Sequence, residues 1–190
     1  MLRMNRKLSV GALIIGVLVV QVLNLMGEHS SWGRVKADPI SESSVQVLGA
    51  YFTPPAGAAV AIVQAIDASQ QEVLVQAYGF THNAIAQALI RAKNRGVNVR
   101  VLLDQKSDHT NRYVIDLFNQ AQVSMRSDGK HAIAHNKVMV IDDSVVITGS
   151  FNFTNSAETR NAENFLILKS SDLASQYKNQ WKSHWAHGVD

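Results

Sequence analysis

Apolar and polar positions repeat along this chain with two different periods, and the changes of period mark its elements. Residues 45–52 read as a strand, ended by the turn-forming run Thr53-Pro54-Pro55-Ala56-Gly57. Residues 58–69 are alanine-rich, and Ala59, Ile62, Val63 and Ile66 fall on one face of a helix. Val73, Leu74 and Val75 begin a second strand that reaches Tyr78. Thr81 is placed to cap a helix whose stripe is Ile85, Leu89 and Ala92, with Gly96 as its stop after Arg95. Residues 97–103 form a further strand closed by Asp104. Residues 111–119 suit a short helix with Val114, Leu117 and Phe118 inward, and residues 123–126 a short strand.

The C-terminal half changes character. Two apolar runs, residues 137–141 and 145–148, flank Asp142-Asp143-Ser144 and predict a hairpin. Residues 162–168 give another strand. Asp172 is placed to cap a last helix, with Leu173, Tyr177, Trp181 and Trp185 four apart on one face, a stripe for the core or for a subunit contact. Strands and helices alternate through residue 126, then strands and one helix follow. That order predicts an α/β fold, one mixed β-sheet flanked by helices on both faces. The chain shows no internal repeat.

The first 37 residues follow a different logic. Arg3, Arg6 and Lys7 form a basic start, and residues 8–26 are free of charge and mostly apolar. Val35-Lys36-Ala37 offers small residues where a signal peptidase cuts, just before Asp38-Pro39. The expectation is export to the periplasm or outside the cell, by a signal peptide or an inner-membrane anchor over residues 8–26, with residues 38–44 as a linker.

This leader changes the meaning of the charge. The formal net charge is +3, from 18 Lys/Arg against 15 Asp/Glu. Residues 1–37 hold Arg3, Arg6, Lys7, Arg34 and Lys36 against Glu28, so the remainder carries 13 basic against 14 acidic groups. The domain is nearly neutral, and overall charge gives nucleic-acid binding no support. The chain has no cysteine, which excludes disulfides, thiolate metal sites and a cysteine nucleophile.

Chemistry concentrates in one stretch: His135-Asn136-Lys137, then Asp142, Gly149-Ser150-Phe151-Asn152 and Glu163-Asn164. Residues two apart on a strand share a face, so His135 and Lys137 present an imidazole and an ammonium to one spot. Cleaving a phosphodiester needs a nucleophile, neutralisation of the non-bridging oxygens and an acid for the leaving oxygen. His135 supplies the nucleophile and Lys137 the cation. Ser150 and Asn152, again two apart, can donate hydrogen bonds to phosphate, and Gly149 lets a backbone approach closely. Glu163 can accept the second imidazole N–H and fix the tautomer. A His-x-Lys pair alone signifies nothing; the joint spacing does.

The pattern H-x-K-x4-D-x6-G-S-x-N resembles the signature of the phospholipase D superfamily, with every position filled. The run from Gly149 to Thr154, with Ala157-Glu158-Thr159 and Glu163-Asn164 following, is similar to the small exported bacterial endonucleases of that superfamily, which carry one motif per chain. The resemblance covers residues 45–185. It implies a phospholipase D-like fold, a covalent phosphohistidine on His135, phosphate binding by Lys137, Ser150 and Asn152, orientation of the histidine by Glu163, and a reaction without metal or cofactor. It implies for Asp142, a motif member, a part in holding the geometry rather than in touching substrate.

One motif per chain has a consequence. The reaction needs a histidine to attack and another to protonate the leaving group. His29, His82, His109, His131, His184 and His187 all lack a lysine two residues on. The second histidine is therefore expected from a partner subunit in a homodimer.

Other candidates carry blander readings. His131 and His135 are four apart but lack the ligand number and spacing of a zinc site, so no metal is expected and His131 reads as a rim residue. Asp104 reads as a loop-initiating residue. Lys106, Arg112, Arg126, Lys130 and Arg160 form either a basic rim for a polyanion or scattered solvated charges. Tyr78-Gly79-Phe80 reads as packing below the site. Three functions stay in view: a nuclease acting on DNA or RNA without sequence preference, the same chemistry on phospholipid headgroups, and a non-catalytic nucleic-acid-binding module.

Overall fold

The computed structural model describes residues 45–189; the leader and linker expected over residues 1–44 lie outside them. Seven strands form one sheet in the order β1-β7-β6-β5-β2-β3-β4. In chain order the elements are β1 (Gln46–Thr53), α1 (Ala58–Asp67), β2 (Glu72–Ala77), α2 (Asn83–Asn94), β3 (Asn98–Asp104), a 3-10 turn (Gln105–Ser107) and α3 (Asp108–Gln120). Then come β4 (Ser124–Asp128), β5 (Lys137–Ile141), β6 (Val145–Gly149), α4 (Asn155–Thr159), β7 (Glu163–Lys169) and α5 (Ser171–Trp185). Strands β2, β3 and β4 are parallel, as their helical crossovers require, and β5, β6, β7 and β1 add antiparallel.

The two faces of the sheet have separate cores. Val73, Val75, Ala77, Val101, Leu103 and Met139 face helices α1 to α3, where Ile62, Ile66, Ile85, Leu89, Val114 and Phe118 are buried. Leu74, Leu102, Val138, Val140 and Val146 point the other way, onto Ala174 and Trp181 of α5. Adjacent strand residues alternate between the cores, which is why β2 and β5 read as continuous apolar runs. Trp181 is 1% exposed, donates its indole N–H to the carbonyl of Val75 at 2.8 Å and stacks on Trp185. The aromatic stripe of α5 is therefore core, and truncating Trp181 should cost about 3–5 kcal/mol.

Helix boundaries differ from the sequence reading at their caps. His82, not Thr81, is the cap residue of α2, because the amides of both Thr81 and His82 donate to the carbonyl of Phe153 and hold that segment extended. Ser170, not Asp172, caps α5, its hydroxyl accepting from the amide of Leu173. Helix α3 starts at Asp108, earlier than its apolar stripe suggests, because the 3-10 turn feeds it directly. Helix α4 is too short for a periodic signal; Thr154 caps it by accepting from the amide of Ala157. The start of α1 carries no side-chain cap of its own. Its orphan amides at Gly57 and Ala59 donate to the buried carboxylate of Glu158 on α4, where an acid also complements the helix dipole. Gly96, at φ 93°, ends α2 as expected.

Candidate active site

The C-terminal ends of β2, β3 and β6 and the N-terminal ends of β5 and β7 lie along one edge of the sheet, because the antiparallel strands start where the parallel ones stop. Lys137 is the first residue of β5 and pairs with Ala77, the last of β2. The next residue, Tyr78, donates its amide to the carbonyl of Asn136 at 2.9 Å. The Tyr78 ring thereby meets both members of the His-x-Lys pair. Its centroid is 4.7 Å from that of His135, edge on, and 5.2 Å from Nζ of Lys137. Tyr78 lines the site, against the sequence reading that placed the whole Tyr78-Gly79-Phe80 segment beneath it. Only Phe80 packs below, fully buried between Phe118 and Phe153. Asn111 fixes this turn: buried, it accepts from the amide of Phe80 and donates to the carbonyl of Tyr78. No motif flags Asn111; a buried amide in an otherwise apolar helix stripe was its only signal.

Lys137 is 7% exposed, and its ammonium donates to the carbonyl of His135 at 2.9 Å. Burial pulls its pKa below the usual lysine value of 10.5, and the charge of Glu163 partly offsets that. His135 is exposed. It lies next to last in the loop of residues 129–136, held by Asp104 at the end of β3. Asp104 is 1% exposed; its carboxylate accepts from the amide of Ala134 and the hydroxyl of Ser107. Where the sequence suggested a residue that starts its own loop, Asp104 anchors a distant one, at the amide one residue from the histidine.

Ser150 follows β6 and Glu163 opens β7. The Ser150 hydroxyl donates to Oε2 of Glu163 at 2.6 Å and accepts from the amide of Asn164. Asn161 donates to the other carboxylate oxygen. Within one chain Glu163 is thus bonded to Ser150 and Asn161, where the resemblance implied His135. Gly149 does allow a close backbone approach, but to β7: a Cβ there would collide with the carbonyl oxygen of Asn164 and lie 2.6 Å from Cα of Phe165. Asn152 reaches the same edge, its side-chain oxygen 3.4 Å from the amide of Gly79.

Asp142 is elsewhere. It follows the far end of β5, five residues from Lys137, which is about 16 Å of strand. Its carboxylate accepts from the amides of Gln70, Gln71 and Glu72, at 2.8, 2.8 and 2.9 Å, tying the hairpin to the start of β2. Asp142 and Asp143 have φ values of 49° and 53°, a left-handed turn that aspartate tolerates better than most residues. The aspartate of the motif therefore builds the strand pair that carries Lys137 and does not stand beside it.

Of the basic-rim candidates, Arg126 lies over the Trp185 ring and donates to its carbonyl, and Arg112 pairs with Asp116 on α3. Lys106, Lys130 and Arg160 are exposed. His131 does not meet His135; its Nδ1 is 3.0 Å from Asp128.

Residues 62–185 match the family described as cardiolipin synthase, PLD-like domain. A relative named phospholipase D from Rickettsia prowazekii is 44% identical over 162 residues, 85% of this chain and 79% of that protein. Among solved structures, Nuc from Salmonella typhimurium, described as a phospholipase D family member, superposes with a TM-score of 0.72. It is 33% identical, and the match covers 77% of this chain and 97% of Nuc. NucT from Helicobacter pylori shares the fold at a TM-score of 0.68 and 23% identity, over 76% of this chain and 98% of NucT.

Proposed function

This chain belongs to the phospholipase D superfamily of phosphodiesterases, and we propose that within it the chain is a metal-independent endonuclease cutting nucleic-acid backbones through a phosphohistidine. The observation that carries the proposal is the convergence of His135 and Lys137 on Tyr78, with Ser150, Asn152 and Glu163 on the same sheet edge. His135 is exposed while the ammonium of Lys137 is held nearly buried beside it, so an entering phosphate meets a free imidazole and an oriented cation.

In this scheme Nε2 or Nδ1 of His135 attacks phosphorus. The bond to the leaving oxygen breaks, and His135 of the partner subunit gives that oxygen its proton. The same partner histidine then takes a proton from water. The hydroxide breaks the P–N bond and releases a phosphomonoester, which leaves His135 free again. Lys137, Ser150 and Asn152 hold the non-bridging oxygens through both steps. The two-subunit arrangement rests on the single motif per chain. The nuclease reading rests on the resemblance to single-motif bacterial endonucleases and on the exposed polar border of Ser150, Asn161 and Asn164, which suits a backbone of repeated phosphates.

A second reading is phospholipid headgroup hydrolysis. Phe52, paired with Asn164 and 68% exposed, and Ile133, two residues before His135, give the same border an apolar side. The relative named phospholipase D points the same way.

The test is incubation of the purified protein, without added metal, with supercoiled plasmid DNA and separately with phosphatidylcholine vesicles. Nicking that is lost in His135→Ala supports the endonuclease. Choline release without nicking replaces it with the lipid reading. DNA binding without turnover of either substrate rejects both in favour of a binding module.

A further inference from the structure

A second cluster of chemistry-bearing residues lies outside the phosphodiesterase site. Asp128 ends β4, His131 follows in the next loop, His184 lies in the last turn of α5, and His187 stands just beyond it. One ligand atom from each of the four lies within 4.8 Å of all the others. Nδ1 of His184 is 2.8 Å from the Asp128 carboxylate, Nδ1 of His131 3.0 Å and Nε2 of His187 3.3 Å. The three rings surround the carboxylate with centroids 4.6 to 5.4 Å apart. The Asp128 side chain has no exposed surface, and Nε2 of His187 is buried with the Asp128 carboxylate facing it outside hydrogen-bond geometry.

We propose that Asp128, His131, His184 and His187 form a structural site for one divalent transition-metal ion of the zinc type. The donor set has the composition for it, with three imidazole nitrogens and one carboxylate oxygen, one atom from each residue, enough for four-coordination with no position left open. In sequence the ligands form two pairs of one spacing, D-x2-H at 128–131 and H-x2-H at 184–187, and the backbone makes that spacing useful. Ser127 and Val189 exchange both amide–carbonyl hydrogen bonds, at 2.7 and 3.0 Å, so the end of the chain already lies along β4 before any ion binds. The three Asp128–imidazole separations are already at or below the ~3.3 Å ligand–ligand edge of a four-coordinate zinc shell, while other separations reach 4.8 Å, so an ion would draw the rings together and press the carboxylate back from them.

A hydrogen-bonded cluster without metal is the competing account, and it leaves a mark that separates the two. His184 Nδ1–H would donate to Asp128, while Nε2 accepts from the Gln180 amide 2.9 Å away. A metal on Nδ1 moves the proton to Nε2 and requires the Gln180 amide to turn its oxygen toward the ring.

The ion would bind three separate segments: the end of β4, the loop of residues 129–136 and the C-terminus of α5. That loop delivers His135. The site would therefore position the nucleophile from outside without entering the reaction.

The experiment is metal analysis of the purified full chain, followed by chelator stripping and titration with Zn2+ and with Co2+. Expected are about one equivalent of zinc per chain, intense visible bands of four-coordinate Co2+, and a rise in Tm on zinc addition. His131→Ala and His187→Ala should each weaken zinc binding at least ~100-fold and abolish the Co2+ bands, while His109→Ala on the exposed face of α3 binds as wild type. Zinc bound no tighter by wild type than by His131→Ala and His187→Ala, or Co2+ without the bands, overturns the site. His135→Ala should keep the metal and lose turnover, so this result and the phosphodiesterase reading stand or fall separately.

Discussion

The hydroxyl of Ser150 donates to Oε2 of Glu163 at 2.6 Å, next to Gly149, whose missing side chain lets β6 and β7 approach closely. A residue assigned to phosphate and a residue assigned to histidine are bonded to each other, so neither is free to wander before substrate arrives. In the proposed phosphate-binding role, the Ser150 hydroxyl would have to leave Glu163 to donate to phosphate, and substrate binding would then be linked to the position of the carboxylate.

That close approach is testable. Gly149→Ala places a methyl group against the β7 backbone, at Asn164 and Phe165. The strands must part at the point where Ser150 meets Glu163. A loss of about 1–3 kcal/mol in urea unfolding is expected, with kcat/KM reduced more than the small stability change explains. Wild-type turnover in that variant would show that the Ser150–Glu163 spacing is unimportant.

Lys137 predicts an alkaline limit. Burial holds its ammonium pKa below 10.5, against the opposing charge of Glu163. If Lys137 must be charged to hold phosphate, activity falls as pH rises through that depressed value, earlier than for an ordinary lysine. Glu163→Gln removes the raising charge and should move the alkaline limb of kcat/KM to still lower pH. An unmoved limb would assign it to another group.

Asp142→Ala should cost stability and leave chemistry largely intact. Three amides, at Gln70, Gln71 and Glu72, lose a charged acceptor at the far edge of the sheet. Because they can turn to water, about 2 kcal/mol is expected. Turnover of the folded fraction should drop less than ~10-fold. His135→Ala should drop it by ~10^4-fold or more, the scale of losing a nucleophile, with Tm unchanged within a few degrees. Single-turnover kinetics on both variants, at a temperature where both are folded, separates these effects.

His82 predicts a pH dependence of stability. Burial lowers its pKa below the ordinary 6.5, and the nearby Glu158 partly restores it. Between the depressed folded value and 6.5 the unfolded chain binds more protons than the folded one. The stability present above 6.5 is therefore lost as pH falls toward the folded value. Denaturant midpoints at about pH 7.5 and 5.5 should differ less in His82→Gln than in wild type. An equal difference would show that other groups carry the acid sensitivity.

What the sequence determined by itself was local or periodic. Short apolar runs placed β2, β3, β5 and β6, helical stripes placed α2 and α5, and the spacing of His135, Lys137, Ser150 and Asn152 marked one edge of a sheet. All of these follow from the fixed rise and period of strands and helices. Tertiary structure decided what long-range pairing alone can decide. Tyr78 lies at the site because β2 pairs with β5 across sixty residues of chain, from Ala77 to Lys137. Asp142 lies at the far edge because β5 runs away from Lys137. His184 meets Asp128, 56 residues earlier, only because α5 packs Trp181 onto the opposite face of the sheet and brings its last turn to β4. A chain's periodicity states which way each residue points along its own element; which element lies beside it is set by the burial of the whole core.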